Sequence, residues 1–303
     1  MIHLSTQAFD NAAGFISENA RPVDRAQFNF HFGDGSKDQV IDELAKYQNA
    51  DGGFGHAIEP DIRMPSSSPF LGTLAFQVLR ELEVPGDALI VKRGLGYFEQ
   101  TFDRSIGGWD PNGPEVDKYP HAVWWNYSPV ADRLDPLVQA NPGAEIVGYL
   151  NLYREHVDET FLEEATAAVV GAFEALPVDM EFHALMCFIR MAEMADEEIR
   201  RNLLPKIRES ALMAIGNGKI DWNSYGARAL AFAPSSTGLL AAVLVDRVHQ
   251  QIDFEIGDQS NDGSWQPTFS WGQYEDDWPT AKTEWAGYLT LRNLLAFKSW
   301  DRI

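Results

Sequence analysis

A single cysteine, Cys187, in a chain of 303 residues permits no intrachain disulfide and excludes a disulfide-stapled scaffold. Basic residues are also scarce: 24 Lys and Arg stand against 45 Asp and Glu, for a formal net charge of -21. So acidic a chain repels phosphate backbones and anionic lipid headgroups, which argues against nucleic acid as a partner. No window approaches the roughly 18 consecutive apolar residues of a membrane span, so no integral membrane segment is expected. The opening stretch from Met1 to Phe15 has no basic region followed by an apolar run. No signal peptide is therefore expected, and a cytoplasmic protein is the default reading. Also missing are a Gly-rich phosphate loop ending in Lys-Ser or Lys-Thr, a His-Glu-x-x-His zinc helix and a Gly-x-Ser-x-Gly nucleophile elbow. No Ser/Gly-rich, Pro-rich or single-charge stretch divides the chain. With 45% hydrophobic residues it has material for a large core, and a single domain over 1–303 is expected.

Most of the chain has helical periodicity. Ser36 with Gln39 three residues on forms a capping-box pattern ahead of Val40, Ile41, Leu44 and Tyr47, which share one helical face. Phe70 to Leu82 follows Pro69, a residue suited to a first helical turn, and is apolar nearly all round, as a buried helix is. Asp87, Asp158, Asp179 and Asp196 each precede a periodic segment that they could cap. Pro205 should kink or divide the segment after Asp196. Further helices are expected after Pro234 and from Thr280. Alternation of the strand type is scarce, so the chain reads as all-α.

Within this pattern a corner repeats. Gln48-Asn-Ala-Asp51-Gly52-Gly53-Phe54 and Gln259-Ser-Asn-Asp262-Gly263-Ser264-Trp265 have the same spacing. Gln100 to Asp103 with Gly107-Gly108-Trp109 is a looser copy, and Gly218 to Trp222 a degenerate fourth. Glycine permits the left-handed backbone that ends a helix, Gln and Asp can bond the freed backbone groups, and the aromatic covers the junction. Hairpins of about 50 residues that cannot bury their faces alone must stack, and a chain of this length holds about six. Six hairpins can close into an (α/α)6 toroid of inner and outer helices.

These corners resemble the QW-type repeats of squalene-hopene cyclases and the Gly-rich turns of protein prenyltransferase β-subunits, in periodic form from Lys37 to Phe297. The resemblance implies an (α/α)6 toroid with a small-molecule ligand in its central cavity, and a terpene cyclase or prenyltransferase type of activity on an isoprenoid. It also implies that Gln48, Asp51, Gln259 and Asp262 are structural. The chain departs from the family's catalytic patterns. The Asp-x-Asp-Asp and Asp-Asp-x-x-Asp motifs are absent, Tyr274-Glu275-Asp276-Asp277 being the nearest string. The zinc set of prenyltransferases has an Asp two residues before its Cys, where this chain has Leu185 before Cys187.

Three polar loops follow the corners. The first carries His56, Glu59, Asp61 and Arg63 ahead of Ser68, a charged set held by prolines and fit for a preorganised site. Equally, it reads as a salt-bridged loop that caps the next helix. The second carries Trp109, Asp110, Asp117, Tyr119, His121, Trp124, Trp125 and Asn126, aromatic planes beside polar groups that suit sugar stacking or cation stabilisation; aromatic core is the plainer use. The third carries Trp271, Tyr274, Glu275, Asp276, Asp277 and Trp278, with Lys282, Glu284 and Trp285 beyond. Three adjacent acids usually face solvent, whereas a carboxyl against apolar walls becomes a general acid. Glu59, Asp61, Asp276 and Asp277 are the catalytic candidates. His56, Arg63, Trp109, His121, Trp124, Trp125, Asn126, Trp222, Trp271, Tyr274 and Trp278 are the substrate-binding candidates. Asp221, Asn223, Tyr225 and Glu181 are lesser ones. His183 and Cys187 share a helical face but read as packing rather than as metal ligands. No motif specifies a cofactor.

Three functions compete on this pattern. An isoprenoid enzyme would use aromatic faces against carbocations and a rim acid. A carbohydrate-active enzyme would use paired carboxylates with aromatic platforms. A binding module would have the loops without the chemistry.

Overall fold

The computed structural model describes residues 1–128, 139–215, 222 and 224–303. The described residues are all-α, with no β-strand beyond isolated bridges. The helices in chain order are α1 (Thr6–Asn19), α2 (Pro22–Phe32), α3 (Lys37–Ala45), α4 (Pro69–Glu81), α5 (Leu89–Thr101), α6 (Gly143–Leu152), α7 (Glu159–Ala175), α8 (Phe182–Met194), α9 (Glu197–Ile215), α10 (Ala229–Phe232), α11 (Ala241–Gly257) and α12 (Trp278–Ser299). None of them is long and apolar enough to cross a membrane.

Local chemistry sets the helix starts. Gln39 N–H donates to Ser36 Oγ at 3.3 Å while Ser36 N–H donates to Gln39 Oε1 at 2.8 Å, the reciprocal pair expected ahead of α3. Ser68 caps α4 and Asp158 caps α7 by one bond each, their side chains accepting from Leu71 N–H and Phe161 N–H. Two expected caps are displaced. Asp87 gives way to Ala88, which precedes α5 without a side-chain bond. Asp179 gives way to Glu181, whose carboxylate accepts from His183 N–H and Ala184 N–H at the start of α8. Pro205 does not divide α9, which runs through it. The helix expected after Pro234 begins only at Ala241.

The chain forms two compact units, Met1–Leu44 with Ile215–Ile303, and Ala45–Ala214. In the second unit α6 packs on α7 and α8, and α4 packs on α5 and α6. Phe76 lies at its aromatic centre, with ring centroids 5.0 Å from Phe98 and 5.2 Å from Tyr149. In the first unit α1 packs against α12 and α2. Here Arg302, only 1% exposed, donates to the Ile2 carbonyl and pairs with Asp253, and Leu4 N–H donates to the Arg302 carbonyl at 2.9 Å. The two ends of the chain thus meet on α11.

Partial desolvation pushes the Asp253 carboxyl up, but the Ile2 amide and the Arg302 guanidinium outweigh it and hold it below its ordinary range. Its folded value lies below its unfolded one, so the stability it adds is present above the unfolded value and is lost as pH falls through the folded one. Asp253→Asn should therefore flatten the acid limb of a stability-against-pH curve, read by urea denaturation, and leave the alkaline limb unchanged.

The two matching corners are built alike. In the second unit Gln48 Nε2 donates to the carbonyls of Gly52 at 3.0 Å and of Ile90, in the first turn of α5, at 2.9 Å. In the first unit Gln259 Nε2 donates to the carbonyls of Gly263 at 2.9 Å and of Ala8, in the first turn of α1, at 2.9 Å. Gly52 and Gly263 have φ of 93° and 88°. Each corner closes on a backbone pair, Asn49 N–H to Gly53 O at 2.8 Å in one and Ser260 N–H to Ser264 O at 2.9 Å in the other. The looser third copy keeps the turn, with Asp103 N–H on Gly108 O at 2.8 Å, Ser105 N–H on Asp103 Oδ1 at 2.8 Å and Trp109 Nε1 donating to Phe98 O at 2.7 Å. Most of the fourth lies outside the described residues.

Candidate functional site

In the second unit the first two predicted loops form one layer. Arg63 N–H donates to Pro120 O at 2.9 Å, and Ala122 N–H donates to Asp61 O at 3.0 Å, around an antiparallel bridge between Ile62 and His121. Phe70 N–H donates to Pro111 O at 3.1 Å, and Ser68 Oγ donates to Asn112 Oδ1 at 2.9 Å. His56, Glu59, Asp61, Arg63, His121, Trp124, Trp125 and Asn126 therefore belong to one local structure. Its two carboxylates are sunk into it, Glu59 being 9% and Asp61 3% exposed, whereas Arg63 is half-buried, His56 is exposed and Trp124 is 48% exposed. Trp125 packs on Phe70 with centroids 4.3 Å apart. Its Nε1, together with Ser66 Oγ, is buried without a hydrogen-bond partner among the described residues.

His121 is 2% exposed and held at both nitrogens. Nδ1 is 2.6 Å from the Tyr119 carbonyl, which can only accept, so Nδ1 carries the proton. Nε2 is 2.8 Å from the Asn126 side-chain amide and 3.7 Å from Asp117 Oδ1. Asn126 Oδ1 is the atom that faces Nε2, so both ring nitrogens stand opposite acceptors. The loop also contains His56 and Ala57 at φ of 56° and 59°, two consecutive non-glycine residues in the left-handed region. Such strain persists only where the surroundings over-determine it.

The predicted aromatics divide by burial. Trp109 and Trp271 are 0% exposed. Trp109 staples its turn to α5, and Trp271 packs on Trp278 with centroids 5.8 Å apart. Both are covered and offer no face to a ligand here: Phe102 and Gly143 of α6 lie against the Trp109 ring, and Trp278 of α12 against Trp271. Trp222 is half-buried against Phe254. Asp221 and Asn223 lie outside the described residues.

The third predicted loop belongs to the first unit. Glu275 and Asp276 are exposed, and Asp277 is half-buried just ahead of α12. The shared dry pocket that would raise an acid's proton affinity is thus not formed around Asp276. Tyr274 is 39% exposed with φ of 53°. Beside it stands an aromatic cluster that the sequence shows only in part. Phe269 has Tyr225 at 5.5 Å, Trp278 at 6.0 Å and Trp285 at 5.5 Å, and Tyr288 follows Trp285 at 5.5 Å, with Arg292 over its ring. Trp278, Trp285 and Tyr288 are each half-buried on α12.

One polar cluster was not anticipated. Glu145 of α6, 2% exposed, accepts from Gln77 Nε2 at 2.9 Å, Tyr149 OH at 2.7 Å, Arg190 Nη1 at 2.8 Å and Cys187 Sγ at 3.9 Å. Burial, and then the Glu145 charge, push the Cys187 thiol and the Tyr149 hydroxyl far above their ordinary values, so neither is poised as a nucleophile. The signal available in the sequence was a lone acid inside the apolar run Gly143–Leu152. His183 is joined to Glu181 at 2.6 Å, apart from Cys187's partner. Among the described residues no group of three or more His, Cys, Asp or Glu could hold a metal ion. Comparison with protein-family models, with curated proteins and with solved structures finds no match to this chain.

Proposed function

We propose that the loop layer of the second unit binds a small polyhydroxylated ligand of the carbohydrate class and assists its reaction by proton transfer. One observation carries this reading. The layer sets buried carboxyls, Glu59 and Asp61, and a doubly anchored imidazole, His121, beside an exposed indole, Trp124. Burying a charge is costly unless it is paired and hydrogen-bonded, and polar groups held in place on a loop are a common setting for function. An indole face flanked by amide and carboxylate groups suits the alternating apolar and polar faces of a sugar ring. Glu59 and Asp61 are the groups assigned to give and take the proton. The scaffold is proposed to be an (α/α)6 toroid, on the strength of the two corners with matching hydrogen bonds.

A second reading is favoured by the half-buried aromatic face of α12. Trp278, Trp285 and Tyr288 with Phe269 and Tyr225 would suit the apolar chain of an isoprenoid, as the resemblance to terpenoid cyclases implies, with Asp277 as the nearest acid.

One titration separates the two readings. Linear hexasaccharides (cellohexaose, maltohexaose and xylohexaose) and farnesol are each added to the protein in a calorimeter. The proposal expects binding of at least one hexasaccharide. Trp124→Ala should weaken it about 30-fold, the scale of a stacking anchor, while the exposed position leaves the melting temperature unchanged. Binding of farnesol alone, lost in Trp285→Ala and kept in Trp124→Ala, would replace the first reading with the second.

A further inference from the structure

The two matching corners serve as controls for each other, and two of their differences, at positions 49 and 53, bear on one hydrogen-bonded chain. Position 49 is Asn in the first corner, and the equivalent position 260 is Ser. Asn49 Nδ2 donates to the Pro65 carbonyl at 3.0 Å and to Ser67 Oγ at 3.0 Å. A carbonyl only accepts, so the orientation of the amide is fixed, and both Nδ2 hydrogens are used. Oδ1 is then the atom 2.9 Å from His56 Nε2, and that nitrogen must carry a hydrogen. Ser67, having accepted from Asn49, turns its own hydrogen to Asp51 Oδ1 at 2.8 Å, where Gly53 N–H also donates at 3.0 Å. Every direction in the chain His56, Asn49, Ser67, Asp51 is settled by donor and acceptor chemistry.

The second corner stops short of this. Asp262 takes its hydroxyl from the adjacent Ser264 at 2.7 Å, which replaces Ser67 with a residue inside the corner itself. The first corner instead has Gly53 at that place, where a Cβ would stand 2.5 Å from Ser67 Cβ. A side chain at residue 53 would therefore push Ser67 out of the relay. Asn49 also has its carbonyl held by Arg93 Nη2 at 2.6 Å. The loop that the relay fixes carries Glu59, Asp61 and Arg63.

We infer that His56 is an acid–base residue of the loop layer, held by Asn49 as the Nε2–H tautomer so that Nδ1 is its basic nitrogen, with Ser67 and Asp51 completing the relay. This rests on the reading of the layer as a polyhydroxylated-ligand site. In the step assigned to it, Nδ1 takes one proton of a water as that oxygen bonds to the anomeric carbon of the ligand; the glycosidic C–O bond breaks, and the departing sugar oxygen takes a proton from the carboxyl of Glu59 or Asp61, which the imidazolium later restores through solvent. The resulting imidazolium keeps its Nε2–H bond to Asn49 and is stabilised by hydrogen bonds that end on the Asp51 carboxylate. Asp51 is thus more than the helix-ending group that its corner suggests. Asn49, Ser67 and Asp51 are positioning residues, because none is required to touch the ligand.

The test begins without ligand. In nitrogen-15 NMR of the intact protein, His56 should show a detectable Hε2 proton bonded to Nε2. Asn49→Ser, the residue of the sister corner, should abolish that resonance while the protein still unfolds cooperatively. Ser260→Asn should leave it in place. Turnover of a hexasaccharide that binds is then compared. Asn49→Ser should lower kcat by about 10- to 100-fold with KM within about threefold, and His56→Gln should lower kcat at least as far. The inference fails if the His56 proton sits on Nδ1, or if Asn49→Ser and His56→Gln leave kcat unchanged while Trp124→Ala abolishes binding. In that last case the binding site stands and only the relay is lost. Silence of Trp124→Ala as well would remove both.

Discussion

Glu145→Ala is expected to lower the unfolding free energy by about 3 to 5 kcal/mol, the cost of leaving a buried charge without its partner. Gln77 of α4, Tyr149 of α6, and Cys187 and Arg190 of α8 all converge on this carboxylate. Its removal takes one acceptor from four donors at once, and Arg190, 27% exposed, loses a buried counter-charge. Glu145→Gln keeps the shape but turns a donor toward donors, and should lose nearly as much. The double variant Glu145→Leu, Arg190→Met removes both charges and should recover most of the stability, since apolar replacement of a buried pair is commonly near neutral. Urea denaturation of the four proteins reads this directly. Equal losses in the single and double variants would show that packing volume, rather than the ion pair, sets the cost.

The second large effect belongs to the corners. Gly263→Ala and Gly52→Ala should each cost about 3 kcal/mol or more, combining left-handed strain with a displaced neighbour. A Cβ on Gly263 would stand 2.3 Å from the Asn11 carbonyl oxygen, and one on Gly52 would stand 2.3 Å from that of Arg93. The obstacles are backbone atoms of α1 and α5, which cannot swing aside. Gly14→Ala is the matching control: it lies within α1, and nothing comes within 4 Å of its Cβ position. There the better helix former should raise stability by about 0.5 to 1 kcal/mol. Thermal melts of the three variants should therefore move in opposite directions by position.

The all-α class and several helix starts were legible because their causes are local. Ser36 with Gln39, Ser68 with Pro69, and Asp158 each act within three residues of themselves. Boundaries shifted where a neighbour capped better, as Glu181 does ahead of Asp179. The corners were legible for the same reason, since Gln, Asp and Gly meet within one turn. The use of each aromatic was not legible. Trp109 and Trp124 are the same residue type in one loop, yet one is 0% and the other 48% exposed, because Phe102 and α6 close over the Trp109 ring. Partners far apart in sequence were invisible too. Glu145 meets Gln77 across 68 residues and Arg190 across 45, and no spacing rule connects them. Asn49 was hidden differently, because it sits inside a motif whose structural role already explains its neighbours.

The most direct measurement follows backbone amide and indole N–H resonances of the intact protein during titration with the three hexasaccharides and, separately, with farnesol. The account predicts that a hexasaccharide shifts resonances of residues 56–68 and 109–127, with the Trp124 and Trp125 indoles moving most. Perturbations gathered instead on Trp278, Trp285 and Tyr288 with farnesol, and none in the loop layer with any sugar, would contradict it.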